Sequence, residues 1–550
     1  MGARAAKAEF SKAPRSPSRP LYAAAMIASL SSFLFGYTLA ALNSVLKTGD
    51  DNDASKCYNG DDDSCPKGSI LNDIDLSIWL QQSATGAAIF GAWLGTLFAA
   101  PPTDRYGRRT VLLINNTLFV LGAALNTLPS VSALLIGRFL NGLGIGCESI
   151  VVPILISELS HPDYRGKMTS IHQLFITIGI LFAGIMGYIF VLYVDDGWRI
   201  VAAFTAVPAI LQLLLSSYLP ESPKWLVVQG RVAEAKQVLL SMRPASEAEE
   251  AEDELQSMIE ESQETEAEGT WEELLQDRRL VLIGVTLFAL QAITGVNSVI
   301  FYSTTIFSLA GVSFDIIGTV AVGAVNVIMA VVSVMLMDKL GRRALLLMGT
   351  SSMTASLLCL AIVLLTLDSA GTVQGILAVL CVLAYITGFS LGLAATVYVV
   401  VSDLAPTSTR SKAFALATSV NWFCNLLISM FTLSAIQGLG GVDTDADDDD
   451  KIAEEEKVGV SYMYVLFGAI CAFAFLFVYT TVPETQHMRD GAIGAEEPLL
   501  INGGGAGLSS GNDSGRDTLV MHPKIRGGGS DSAQQRSLLL YEDGDDEEQR

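Results

Sequence analysis

The sequence predicts an all-α membrane protein of twelve transmembrane helices in two pseudo-symmetric halves of six, and three observations carry that prediction. Composition is the first. Of 550 residues, 51% are hydrophobic and 17% charged, and the mean hydropathy of +0.44 is too apolar for a soluble chain of this length. Duplication is the second. Asp104-Arg105-Tyr106-Gly107-Arg108-Arg109 returns as Asp338-Lys339-Leu340-Gly341-Arg342-Arg343, and Ser157-Glu158-Leu159 followed by Arg165 returns as Ser402-Asp403-Leu404 followed by Arg410. Pro220-Glu221-Ser222 closes the first copy and Pro483-Glu484-Thr485 closes the second. Third, the space between these motifs is filled by apolar runs near the ~20 residues a helix needs to cross a bilayer.

In chain order, the first half holds such runs at roughly 21–46, 77–101, 110–128, 131–158, 168–193 and 199–219. The second holds them at roughly 280–308, 314–337, 344–367, 373–403, 411–436 and 459–482. The first run is too long, and lacks the cleavage site, for a removable signal peptide. Between the halves, 229–277 is rich in Ala, Glu, Gln and Leu with no span-length run, which favours short soluble helices. After 487 the chain is rich in Gly, Ser and Asp and is expected to be disordered. The resulting boundaries are a cytosolic N-terminal segment (1–20), a six-helix bundle (21–219), a cytosolic helical linker domain (220–279), a second six-helix bundle (280–482) and a cytosolic tail (483–550).

The net charge of −23 is segregated rather than uniform. Segment 47–76 carries eight aspartates against three lysines, and 437–458 carries nine acids against two lysines. Arg and Lys instead gather before the first span and at 105–109, 165–167, 339–343 and 410–412. Short basic loops stay in the cytoplasm, so both termini and all four basic turns are expected on the cytosolic side. Cys147, Cys359, Cys381, Cys424 and Cys471 fall within spans and read as small packing residues. Cys57 and Cys65 share the first outward loop. A loop-local disulfide is expected there because that face is oxidising, the alternative being two unpaired thiols.

No catalytic constellation appears. The four histidines have no metal-ligand spacing to another His or Cys, and there is no phosphate-binding glycine loop, so neither an enzyme nor an ATP-driven pump is indicated. No cofactor, metal or nucleic acid is expected. The informative residues are neutral amides inside spans: Gln173 in the fifth, Gln291 and Asn297 in the seventh, Asn326 in the eighth, and Asn421 and Asn425 beside Trp422 in the eleventh. An amide donates and accepts at once, which suits hydroxyl-rich ligands, and a Trp face can stack on the C–H face of a sugar ring. The competing reading is that each amide merely links two helices, contributing about 1 kcal/mol.

PESPKWL at 220–226, VPET at 482–485, the paired DRYGRR and DKLGRR turns, and QAITGVNSVIFYSTTIF at 291–307 together resemble the sugar porter branch of the major facilitator superfamily. The resemblance runs from about residue 21 to 486 and implies a monosaccharide carrier working by alternating access. It implies that Gln173, Gln291, Asn297, Asn326 and Asn421 bind the sugar, with Trp422, Phe389 and Tyr398 beside them. Departures from the pattern are Ala292 for a second glutamine, Tyr398 for a tryptophan, Ser390 for a glutamate, and LGLAATVYVVVSDL without the usual prolines; they bear on sugar preference and on the flexibility of the tenth helix. The resemblance also implies a gate of cytosolic salt bridges between the halves, built from Arg109, Glu158, Arg165, Arg342, Arg343, Asp403 and Arg410, with Glu221 and Glu484 joining them.

Coupling turns on three residues. Proton-linked sugar porters carry an Asp just after Phe-Gly-Tyr in the first span, near an Arg of the fourth. Here Thr38 follows Phe35-Gly36-Tyr37, and the arginine is Arg138. A threonine does not titrate, so a uniporter of glucose or a related hexose is expected. Glu148 lies ten residues beyond Arg138, turned ~80° away and ~15 Å along the helix, and is expected to be a hydrogen-bonded, protonated structural acid. The alternatives are a proton symporter that uses Glu148, and a transporter-like sugar sensor that signals through its tail. Glu496-Glu497-Pro498-Leu499-Leu500-Ile501 fits an acidic dileucine signal for sorting adaptors. A plasma-membrane location is expected, with a vacuolar or endosomal membrane as the alternative.

Overall fold

The computed structural model describes residues 17–46, 66–161, 164–244, 248–264, 270–300, 315–366, 372–406, 409–441 and 449–485. The Cys57 and Cys65 loop, the dileucine at 499–500 and the rest of the tail lie outside them. Among the described residues there is no strand, and helices stand at all twelve predicted spans. The first half comprises α1 (Arg19–Val45), α2 (Ile78–Phe98) with α3 (Ala100–Tyr106), α4 (Arg108–Asn126), α5 (Val131–Leu159), α6 (Arg165–Tyr193), and α7 (Gly197–Phe204) with α8 (Ala206–Leu214). Four short helices follow: α9 (Pro223–Val228), α10 (Val232–Met242), α11 (Ala248–Glu264) and α12 (Trp271–Gln276). The second half comprises α13 (Arg278–Ile293), α14 (Asp315–Leu340), α15 (Arg342–Thr366), α16 (Thr372–Phe389) joined by a π-turn (Ser390–Ala394) to α17 (Ala395–Leu404), α18 (Arg410–Gly440) and α19 (Asp449–Thr481).

Ten of these spans are long and apolar enough to cross a membrane, and α2 with α3, bent by 50° at its junction, makes eleven. The remaining predicted span, α4, has the length, but Arg108, Arg109, Asn115 and Asn116 dilute its apolar character. Its asparagines are buried against neighbours: Asn115 Nδ2 donates to Gly144 O at 2.9 Å and Asn116 Nδ2 to Gln212 Oε1 at 2.8 Å. Large apolar side chains such as Phe98, Ile114, Leu214, Ile328, Ile362 and Phe473 point outward and are exposed, an arrangement suited to lipid rather than water.

Small residues let the spans approach. A Cβ on Gly142 would stand 2.1 Å from Ala88 O and one on Gly146 2.0 Å from Ala92 O, so the Gly-x-x-x-Gly of α5 seats directly on the backbone of α2. The two halves meet along two seams, α2 against α18 and α6 against α14. Each seam sets the second span of one half against the fifth span of the other, as a twofold-related pair requires. On the first seam Trp93 Nε1 donates to Ser419 Oγ at 3.0 Å and Ser434 Oγ to Gln82 Oε1 at 3.0 Å. The linker helices α9, α10 and α11 share a small core of Leu226, Val227, Leu239 and Leu255. Arg243 ties them to the first half: its Nη1 caps the C-terminal carbonyl of Leu159 at 2.7 Å while its other nitrogens hold Glu254. A cation at that end suits the helix dipole.

Candidate functional site

Two backbone irregularities face one another in the second half. The seventh span breaks at Thr294-Gly295, where Gly295 takes φ +94° and packs under the Phe467 ring, and helix resumes at 296. A side chain fits neither that φ nor that space. The tenth span widens into the π-turn at Ser390–Ala394, a feature that frees carbonyls from the regular ladder. Gln291, just before the break, reaches those carbonyls: its Nε2 donates to Leu393 O at 2.9 Å and Ala394 O at 3.0 Å.

From Gln291 a chain of amides runs across two spans, the seventh and the eleventh. Asn421 Nδ2 donates to Gln291 Oε1 at 3.0 Å and to Phe288 O at 2.7 Å, Asn425 Nδ2 donates to Asn421 Oδ1 at 3.0 Å, and Asn297 Nδ2 donates to Asn425 Oδ1. Beside it, Ser390 Oγ donates to Asn326 Oδ1 at 2.9 Å. Asn297 Oδ1 and Asn326 Nδ2 engage no hydrogen bond among the described residues, so an acceptor and a donor remain for a ligand. Phe389 is partly buried directly before the π-turn, and Tyr398 sits edge-on to Phe288 at 4.7 Å. Trp422 reaches into the first half, 5.7 Å from Phe35. Gln173 is half-buried on α6 with no hydrogen bond among the described residues; its neighbour His172 shares a 2.7 Å contact with Ser32 Oγ. Gln291, Asn297, Asn421 and Asn425 are thus joined, Asn326 forms a separate pair with Ser390, and Gln173 stands apart in the other half.

The coupling candidates are buried. Arg138 donates from Nη1 to Thr38 O at 2.5 Å and from Nε to Ala84 O at 3.3 Å. Glu148 is completely buried, no side chain among the described residues hydrogen-bonds to its carboxyl, and the nearby donor is the backbone amide of Phe35 in the first span.

At the charged end, the two copies of the repeat build the same device. Gly107 and Gly341 both take positive φ, +92° and +82°. Each turn opens a helix, α4 or α15, whose first amides point at an acid from the end of its own half. Arg109 N donates to Glu221 Oε1 at 3.0 Å, and Arg342 N and Arg343 N donate to the two oxygens of Glu484 at 3.0 and 3.1 Å. A carboxylate at a helix N-terminus satisfies orphan amides and meets the positive end of the dipole, which accounts for the repeated Pro-Glu-Ser/Thr motif. The second acid of each half pairs with the first arginine of the turn. Arg108 holds Glu158 in a two-pronged contact at 3.0 and 3.3 Å, and Arg342 Nε lies 3.4 Å from Asp403 Oδ2.

These contacts join spans within each half. Arg109 Nη2 donates to Ser216 O and Arg343 Nη2 to Tyr479 O. Arg410 holds the carbonyl of Ala405 at 3.1 Å, and Arg165 opens α6 with its side chain exposed. The resemblance points to Arg109, whereas the contact with Glu158 is made by Arg108, which the repeat aligns with Arg342. That correspondence was the available signal.

The family model described as "Sugar (and other) transporter" matches residues 24–489. Plastidic glucose transporter 4 of Arabidopsis thaliana is 31% identical over 463 residues, covering 84% of this chain and 77% of that protein. The facilitated glucose transporter member 5 of solute carrier family 2 from Equus caballus is 30% identical over 468 residues, covering 83% of this chain and 87% of that protein. Among solved structures, a partially occluded inward-open form of the xylose transporter XylE from E. coli superposes with a TM-score of 0.64 at 25% identity, over 85% of this chain and 99% of that one.

Proposed function

The chain belongs to the sugar transporter family of the major facilitator superfamily, and from that premise we propose that it carries a monosaccharide, glucose or a related hexose, by uniport. It is a multi-pass membrane transporter and not an enzyme. The observation that carries the sugar reading is the amide chain from Asn297 to Gln291, strung between a broken helix and a π-turn. Discontinuous helices at mid-membrane are where transporters of this kind bind substrate, and paired amide donors and acceptors can be exchanged for sugar hydroxyls. Two relatives named as glucose transporters support a hexose.

Uniport is supported by Thr38, whose backbone carbonyl rather than a titrating side chain receives Arg138. The proposed arrangement has halves 21–219 and 280–482, linker 220–279, and both termini and the charged turns on the cytosolic side of the plasma membrane. The second reading, a proton symporter, has one specific observation in its favour: Glu148 is a fully buried acid with no basic side chain paired to it among the described residues, and an intramembrane acid is costly unless it works. Radiolabelled glucose uptake in a host lacking its own hexose transporters, with and without a protonophore, separates the readings. Uptake that equilibrates and ignores the protonophore is expected. Accumulation that collapses with the protonophore would overturn uniport, and no uptake of any hexose would overturn the sugar reading.

A further inference from the structure

Thr38 and Arg138 line a cavity of about 30 Å³ inside the first half, between α1, α4, α5, α7 and Thr205, away from the amide chain. Its polar wall is Thr38, Asn126, Arg138, Asn141 and Thr205; the remainder is apolar, including Leu42, Leu134 and Trp198, and no carboxylate is among the lining residues. Three of the polar side chains are more than nine-tenths buried and carry atoms without a hydrogen bond: Thr38 Oγ1, Asn126 Oδ1 and both amide atoms of Asn141. Buried polar groups left in this condition carry an unrecovered desolvation cost, so a ligand inside the cavity is expected to satisfy them.

The chemistry of the wall selects the ligand. A guanidinium contributes positive charge in a low-dielectric site, and the Thr38 hydroxyl and the Asn141 amide contribute N–H and O–H donors. The Asn126 amide can present its nitrogen by the usual oxygen–nitrogen exchange. A water needs ~10–15 Å³ by this measure, so the volume admits one monatomic ion or about two waters. Positive charge, donors, apolar walls and no carboxylate together favour an anion over water. We propose that this cavity binds a single chloride ion, which supplies beside Arg138 the negative charge that Thr38 does not. The proposal concerns the first half alone and stands whichever sugar is carried.

The test uses the full-length protein purified in detergent, with its thermal unfolding midpoint followed in sodium chloride and in sodium gluconate at equal ionic strength. A saturable rise of a few degrees in chloride, reproduced by bromide and absent in gluconate, is expected. Coincident chloride and gluconate curves would mean that water alone fills the cavity and would overturn the proposal. Asn141→Leu removes a donor and fills space, so the chloride-dependent shift should be lost; a full shift in that variant would place the ion elsewhere and also overturn it. Thr38→Asp supplies a fixed carboxylate and tests the site independently should Asn141→Leu fail to fold. Its midpoint should no longer respond to chloride, and an undiminished response would count against the site.

Discussion

Gln291 makes three hydrogen bonds from one side chain, two to carbonyls of the π-turn and one from Asn421. Truncating it removes a ligand group and also strands those carbonyls, whereas Asn326→Ala removes only a group paired with Ser390. One hydrogen bond to a neutral ligand is worth about 0.5–1.5 kcal/mol, so either variant is expected to raise the apparent KM for hexose several-fold to about tenfold. Gln291→Ala should also lower the unfolding midpoint while Asn326→Ala leaves it near wild type. Uptake kinetics and a thermal melt on the same preparations check both, and wild-type KM in both variants would remove the amides from the site. Glu148→Gln keeps the shape and removes the proton site; under uniport its equilibrative exchange and pH profile should match wild type. Loss of concentrative uptake in that variant alone would hand the role to Glu148. The amides were legible in the sequence because a polar residue inside an apolar run stands out against its neighbours. Their connections were not, since whether Ser390 serves Asn326, or Asn421 serves Gln291, depends on side chains brought in from other spans.

The charged turns make the best case for reading elements from sequence. The repeat marked both of them, and the structure supplies the reason: glycine at positive φ, then a helix whose first amides are capped by an acid from the far end of the same half. Gly107→Ala would force a Cβ into a left-handed conformation, costing roughly 1–2 kcal/mol, and would place it 2.3 Å from Glu221 Oε2. A lower unfolding midpoint and reduced yield are expected. Gly166→Ala is the contrast: that glycine is helical with nothing within 4 Å, so alanine should be neutral or stabilising by about 0.5–1 kcal/mol. Equal effects in the two variants would refute the capping account. Span positions were legible because a bilayer imposes a length on apolar runs. The 50° bend between α2 and α3 and the π-turn were not, because hydropathy does not register a backbone hydrogen bond that shifts by one residue. Pro101 and Pro102 mark the bend, yet in the sequence they read as the end of a span.

In the molecule as a whole, the Arg108–Glu158 and Arg342–Asp403 pairs brace each half internally, while contact between halves runs along the α2–α18 and α6–α14 seams. Each half therefore has the internal bracing of a rigid body, and a rocking cycle must open and close the seams rather than rearrange the spans inside a half. The repeat announced two halves, but which spans form the seams is a property of assembly that no single motif carries. The consequence is testable at one point on the first seam. A Cβ at Gly86 would stand 3.1 Å from Met430 Cγ; with one C–C bond between Cγ and Cβ, the two Cβ atoms lie at most about 4.6 Å apart, at the edge of the ~3.5–4.5 Å range of a disulfide. Gly86→Cys combined with Met430→Cys should crosslink readily on mild oxidation and fasten α2 to α18. If transport requires that seam to part, the oxidised protein should lose hexose uptake, reductant should restore it, and each single-cysteine variant should be insensitive to oxidant. Mass spectrometry of the linked peptides reports the extent of crosslinking independently of activity. Full uptake in completely crosslinked protein would mean that the halves exchange access without separating here, and the rigid-body cycle would have to give way to motion within one half.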